Sequence, residues 1–322
     1  MNRRRGLIIC LILLCLAGCG WKTRAVAAES NGGDDRAFIA HALGGIDGFS
    51  YTNSYEAFMN SYLMGYRLFE ADLILTSDGE LAARHDWSGR MQPGLADPPG
   101  RPPTLPEFKT APILGKYRPL DMNDLIRLLA RYPDISLITD TKETDTSKVK
   151  RQFEYLVSQA NAADPSLLQR IIPEIYSPEM YDTVMKIYPF PNKIYSLYQS
   201  NASEDDILAY VKEKPFTFVA MPVSRILRNP TLVHRLNRIG ARSYVHTVNN
   251  TLFMGLLGRL GVYGFYTDAE AAPSSLLSEL RKPIDRDMPF YMILVILGCI
   301  IGHRYGKIKR RSAWATESRI CR

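Results

Sequence analysis

Eight short runs of β-type residues, separated by amphipathic helical stretches, constrain this chain more than any other feature of its sequence. The runs are FIAHALG, RLFEADLIL, ISLITDTK, IIPEIYS, KIYSLYQ, FTFVAMPV, RSYVHTVN and VYGFYTD. Between them lie stretches such as SYEAFMNSYLMGY, MNDLIRLLARYP, PEMYDTVMKIYP, EDDILAYVKEKP and NPTLVHRLNRIG, whose apolar residues recur at helical spacing. Several open on Ser, Asn or Asp and close near Pro or Gly, as helix ends require. Strand then helix, eight times in about 240 residues, predicts an α/β fold of the (β/α)8 TIM-barrel type. That domain spans residues 37–283, and a 46% hydrophobic content suffices to fill its core.

One connection breaks the pattern. Between Trp87 and Leu120 stand Pro93, Pro98, Pro99, Pro102, Pro103, Pro106, Pro112 and Pro119, too many for the interior of a helix or strand. This long Pro-rich loop follows the second strand, which puts it on the face where barrel active sites lie and makes it a candidate lid.

The net charge of +7 belongs to the ends. Residues 1–24 contribute +5 and residues 303–322 contribute +6, so the 278 residues between them are net acidic, about −4. That weighs against a nucleic-acid partner. Arg3, Arg4 and Arg5 precede the apolar run GLIICLILLCLAG, and LAGC, from Leu16 to Cys19, resembles the lipidation site of bacterial lipoproteins. Residues 1–24 therefore read as a signal, lipoprotein-type or anchor segment, with cleavage after AVA (Ala25 to Ala27) also open, and residues 25–36 as a linker. Near the other end an apolar core from Phe290 to Gly302, lengthened by snorkelling flanks, predicts a transmembrane helix over 288–305. A buried C-terminal helix is the plainer alternative. The basic tail, 306–322, would stay in the cytoplasm by the positive-inside rule, leaving the barrel extracytoplasmic at the cell membrane. Cys10, Cys15, Cys19 and Cys299 fall in or beside the two apolar segments and Cys321 in the tail, so the barrel uses neither disulfides nor thiolate chemistry.

The chemistry concentrates in FEADLILTSDGELAARHD, residues 69–86, read as a strand that carries Glu70 and Asp72 and ends in His85 next to Asp86. Alternate side chains of a barrel strand share a face, so Glu70 and Asp72 enter one lumen. Carboxylates that close repel unless a cation neutralises them. Asp140 and Lys142 in LITDTK repeat the two-residue step one strand over, adding a third oxygen ligand beside a positive charge. A polar core layer with Glu70 paired to Lys142 is the plainer alternative. His41 ends the first strand and His85 follows the second, so both reach the same rim, where imidazoles suit proton transfer near neutral pH. Asn53 with Glu56 reads as a capping box for the first barrel helix. His234 reads as a surface residue of an outer helix, and Glu174 has no assigned direction.

IAHALGG, YTNSYEAF, FEADLILTSDGELAARHD, LITDTK, VHTVN and GVYGFYTD, in this order, resemble the glycerophosphodiester phosphodiesterase family of the phosphatidylinositol-phospholipase C-like superfamily. The resemblance covers residues 38–268 and implies a TIM barrel. It also implies that His41 and His85 are the acid/base pair, that Glu70, Asp72 and Asp140 bind one divalent cation, Mg²⁺ or Ca²⁺, and that Lys142 contacts the phosphate. Asp140 stands where the family usually has Glu; the related sphingomyelinase D group has Asp there, and either carboxylate can bind the cation. Three motifs depart from the family pattern. H-R-G arrives as His41-Ala42-Leu43, P-E-N-T as Tyr51-Thr52-Asn53-Ser54, and W-T-V-N as His246-Thr247-Val248-Asn249, which puts His246 where a tryptophan lines the substrate site.

The expected activity is metal-dependent hydrolysis of glycerophosphodiesters or phospholipid head groups by a divergent, membrane-tethered member. The alternative is a catalytically weak or inactive barrel that binds phospholipid head groups. A sugar-processing barrel fits less well, because two carboxylates on one strand face invite a shared ion rather than acting from opposite sides of a bond. Protein partners are not indicated.

Overall fold

The computed structural model describes residues 35–89, 91–92, 101–229 and 231–281. The segments expected at 1–24, 288–305 and 306–322, most of the linker, and Pro93, Pro98 and Pro99 lie outside the described residues. Among the described residues no helix is long and apolar enough to cross a membrane.

Eight strands form a closed parallel barrel: β1 (Phe38–Ala40), β2 (Leu68–Leu75), β4 (Ser136–Asp140), β5 (Ile171–Ile175), β6 (Ile194–Ser196), β7 (Phe218–Pro222), β8 (Arg242–His246) and β9 (Gly264–Thr267). Closure comes from β1, whose Ile39 stands level with Leu68 of β2 on one side and Tyr266 of β9 on the other. The eight expected runs and the eight strands coincide.

Strand parity sorts the side chains. Ile39, Leu68, Ile138, Ile194, Ala220, Tyr244 and Tyr266 pack together inside the barrel. Their strand neighbours, among them Phe38, Phe69, Leu137, Val219, Val245 and Phe265, belong to the larger core shared with the helices. The ring of helices comprises α1 (Tyr55–Leu63), α2 (Leu105–Thr110), α3 (Met122–Arg131), α4 (Thr146–Ala163), α5 (Pro178–Ile187), α6 (Glu204–Glu213), α7 (Val223–Arg228), α8 (Leu232–Arg238), α9 (Thr251–Arg259) and α10 (Pro273–Arg281). Asp121, Asp145, Ser177, Ser203 and Asn250 cap α3, α4, α5, α6 and α9 through side-chain oxygens that accept backbone N–H bonds. His234 lies on α8 and is exposed, as expected.

Two expectations are corrected. Residues 69–86 are not one strand: β2 stops at Leu75, and a turn centred on Thr76, Asp78 and Gly79 sends the chain back as β3 (Leu81–Ala83), antiparallel to β2. Gly79 adopts φ 87°, which the reversal requires. The hairpin matters to the site because it turns the chain back before His85. The Pro-rich connection also contains a helix, α2, with Pro106 in its first turn, where no intrahelical N–H bond is lost. A capping box between Thr104 and Glu107 starts it, and Phe108 sets it edge-on against Trp87 at 5.8 Å.

Candidate active site

The C-terminal ends of the strands open on a pocket of about 470 Å³, counting its open mouth, lined in part by His41, Glu70, His85, Asp140, Lys142 and His246. Six of the seven residues singled out from sequence thus face one space, and the seventh, Asp72, adjoins it, level with Asp140 and bonded to Lys142.

Glu70 and Asp72 lie two apart on β2, and Asp140 stands level with Asp72 on β4. Each of the three offers an oxygen within 4.8 Å of the others. Glu70 and Asp72 are each only 1% exposed. The Glu70 Oε2 accepts a hydrogen bond from the Ala42 N–H at 2.6 Å, whereas its Oε1 is buried without a hydrogen-bond partner. Asp72 accepts from Asn53 Nδ2 at 2.8 Å and returns its own N–H to Asn53 Oδ1 at 3.1 Å. Lys142 Nζ bridges Asp72 and Asp140, and the Tyr176 hydroxyl donates to Asp140.

The charges follow from this geometry. Burial, then the field of Asp72, pushes the Glu70 carboxyl well above the ordinary carboxylate range, with His41 pulling the other way. Burial also opposes ionisation of Asp72, but Lys142, His41 and the Asn53 hydrogen bond more than offset it and hold the carboxyl low. Lys142 stays charged against its own burial because Asp72, Asp140 and Glu70 surround it. The Glu70–Lys142 pair of the plainer alternative is not made. Lysine reaches the other two carboxylates instead, and Glu70 is left with an orphan oxygen.

That orphan is the test of whether a cation fits. A buried carboxylate oxygen without a donor is costly, and a hard divalent cation takes oxygen ligands of this kind. Three convergent carboxylates, one with a partnerless oxygen, match such an ion.

His41 opens a 3-10 turn (His41–Leu43) at the end of β1. Ala42 (φ 49°) and Leu43 (φ 66°) are held left-handed without being glycine, a strained conformation that delivers the Ala42 N–H to Glu70. Ala42 is fully buried, so the position where the family pattern carries arginine extends no cation into the pocket. The ring of His41 donates through Nδ1 to Asp268 at 2.8 Å. Burial lowers its basicity, but Asp268, Glu70 and Asp72 outweigh that and raise the pKa to about 9.

His85 follows β3, with Nδ1 at 2.9 Å from Asp86 Oδ2. The side chain of Arg84, buried beneath, donates to the carbonyls of Asp86 and Ser88 and to Gln92, and so fixes the loop that carries this histidine. Between the two imidazoles stands the ring of Tyr51.

His246 ends β8, its ring near Tyr198 and Tyr266 at 5.7 and 5.9 Å. Its Nε2 is buried without a partner. Burial first, then the charges of His41 and Lys142, lower its pKa to about 3, so it is neutral at ordinary pH.

Several residues at the site escaped the sequence reading. Asn53 is not the cap of α1: Ser54 is, its Oγ accepting from Ala57 N at 3.2 Å, while Glu56 accepts from the Arg118 N–H. Asn53 turns inward because its φ of 47° swings the side chain onto Asp72. Glu174 points into the lumen, held by Tyr266 at 2.5 Å and Tyr176 at 3.3 Å. Burial and the charge of Asp140 raise it to about 7, although the Tyr266 bond pulls it down. The alternation of Ile172 and Glu174 on one face of β5, continued by Tyr176 just past its end, was the available signal.

Cleaving a phosphodiester requires a proton donor, a proton acceptor and a counter to phosphoryl charge, and this barrel mouth gathers groups of each kind. The class it defines is the phosphoric diester hydrolases. Residues 45–271 match the sequence model of the Glycerophosphoryl diester phosphodiesterase family, and the chain belongs to that family. No curated protein sequence matches it. Among solved structures, it is similar to a glycerophosphodiester phosphodiesterase from Parabacteroides distasonis, with a TM-score of 0.60 and 19% identity over 76% of this chain and 96% of that one. A Thermotoga maritima glycerophosphodiester phosphodiesterase is similar at TM-score 0.55 and 19% identity, over 76% and 98% of the two chains. An Oleispira antarctica phosphodiesterase solved with the product sn-glycerol-3-phosphate is similar at 0.58 and 14%, over 76% and 96%.

Proposed function

We propose that this protein hydrolyses glycerophosphodiesters with the help of one bound Mg²⁺ or Ca²⁺. The observation that carries the reading is the buried cluster of Glu70, Asp72 and Asp140, one of its oxygens partnerless, between two rim histidines. When bound, the cation supplies Lewis-acid polarisation of a phosphoryl oxygen, with those three carboxylates as its ligands. The remaining work belongs to side chains. His41, kept protonated by Asp268, gives its proton to the departing alkoxide, and His85, oriented by Asp86, takes one from the attacking hydroxyl. Lys142 offsets charge growing on the non-bridging oxygens, and the neutral His246 offers its free ring nitrogen to the substrate.

The substrates we favour are glycerophosphodiesters, supported by the family and by the glycerol 3-phosphate in the Oleispira antarctica relative. The barrel is extracytoplasmic at the cell membrane and the basic tail cytoplasmic, a placement supported by the basic and apolar ends of the sequence. Digestion of intact cells by added protease should remove the barrel and spare the tail; protection of both ends the localisation. For the activity, the full-length chain in detergent is assayed on glycerophosphocholine and bis(p-nitrophenyl) phosphate with and without EDTA. Release that EDTA and His41→Ala each abolish is the expected result. An inert protein that still binds phospholipid vesicles would replace the enzyme with a binding module.

A further inference from the structure

We propose that Tyr51 determines which alcohol substituents the site accepts on a phosphodiester, by filling the gap between the His41 and His85 rings. The inference rests on the acid–base reading of that pair. The Tyr51 ring lies edge-on to both, its centroid 4.7 Å from that of His41 at 83° and 5.0 Å from that of His85 at 77°. One six-membered ring therefore spans the space a phosphate must occupy if one imidazole gives a proton while the other takes one. Phosphate and ring cannot share it. Binding moves Tyr51 aside, and the groups esterified to phosphorus then pack against the displaced ring.

The backbone is built for that displacement. Tyr51 has φ 62°, in a segment where Gly44, Asp47, Gly48 and Asn53 are also left-handed. The segment is pinned on both sides of Tyr51. Asp47 accepts from Lys116 Nζ and the Tyr117 hydroxyl, each at 2.6 Å, and the Gly48 N–H donates to Glu270 at 2.8 Å. On the other side, Asn53 is locked to Asp72. Tyr51 between these pins is 40% exposed and has room outward. The two edge-to-face contacts it gives up are weak ones, which a bound diester can repay. A slim, flexible substituent such as glycerol fits beside the ring, whereas an aryl or acylated one collides with it.

The test compares the full-length wild type with Tyr51→Ala, Tyr51→Phe and Tyr51→Trp under Mg²⁺. For glycerophosphocholine and bis(p-nitrophenyl) phosphate, kcat/KM is measured, and binding of both is followed by calorimetry. Tyr51→Ala should shift the ratio about tenfold toward the aryl diester, mostly in KM, a steric preference of ordinary size for an enzyme pocket. Tyr51→Trp should shift it the opposite way and serves if the alanine variant does not fold. Tyr51→Phe should keep the wild-type ranking. A ratio unchanged within about twofold in Tyr51→Ala and Tyr51→Trp, or a phenylalanine variant that follows alanine, overturns the proposal. If the wild type binds the diesters but cleaves neither, the hydrolase reading falls, and the ratio of affinities decides the role of Tyr51 by the same criterion. A wild type that neither cleaves nor binds them overturns both.

Discussion

His41 at the end of the first barrel strand donates through Nδ1 to Asp268 at the end of the last, at 2.8 Å. Asn249 secures the acceptor, donating to Asp268 Oδ2 at 2.9 Å and accepting the Asp268 N–H at 2.8 Å. The imidazole is therefore oriented by its far nitrogen, and Nε2 is the atom left for chemistry.

This pairing makes stability depend on pH in the metal-free protein. The folded-state pKa of His41, about 9, lies above its ordinary 6.5, so the stabilisation is complete below pH 6.5 and lost as pH rises through 9. The loss is on the order of 3 kcal/mol. Denaturant melts of the EDTA-treated full-length chain should weaken across that window, and His41→Gln should flatten the dependence. A slope that persists in His41→Gln assigns the effect elsewhere.

Lys142 acts as counter-ion to Asp72 and Asp140 when no metal is bound. Lys142→Met should destabilise the metal-free protein by about 3–5 kcal/mol, the usual result of stranding buried charges. Saturating Mg²⁺ or Ca²⁺ should recover most of it. Thermal melts with and without the ion read this directly, and a deficit unaffected by either metal contradicts a cation at the carboxylates.

Asn53→Ala removes both hydrogen bonds to Asp72 in a buried setting. A cost of about 2–3 kcal/mol is expected, with weaker cation binding by calorimetry. Ser54→Ala, which removes the cap of α1 and a hydroxyl contact with Thr52 but no bond to Asp72, should cost about 1 kcal/mol and leave cation affinity as in the wild type. Equal affinity loss in both would mean that α1, rather than Asn53, supports Asp72.

His246 titrates in the opposite sense to His41. Its folded-state pKa, about 3, lies below 6.5, so its stabilising share is present above pH 6.5 and fades as pH falls toward 3. His246→Phe should shallow the acid limb of the stability profile and raise KM for glycerophosphocholine. An acid limb identical to the wild type would show that the ring is not held neutral.

The carboxylates were legible because their arrangement is local. Glu70 and Asp72 obey the two-residue period of a strand, and Asp140 needed only the neighbouring strand in register. Asn53 was misread for a physical reason. Asparagine followed three residues later by glutamate satisfies a helix-start rule, but Ser54 can cap equally well, and of the two it is Asn53 that bonds the buried carboxylate of Asp72. The hairpin before His85 was legible in Asp78-Gly79, a tight-turn pair between two β-compatible runs, although residues 69–86 read as one strand by composition alone.

Alternation of strand and helix, and the order in which acids, histidines and lysine occur along it, was determined by the sequence alone, since period and polarity are properties of neighbouring residues. Only the tertiary structure decided which groups meet. Asp268 reaches His41 across 227 residues, Tyr266 reaches Glu174 across 92, and the Tyr51 ring comes to rest between two histidines that follow different strands. Such contacts exist because the barrel closes β1 onto β9, and closure is a condition on the whole chain that no local window of residues contains.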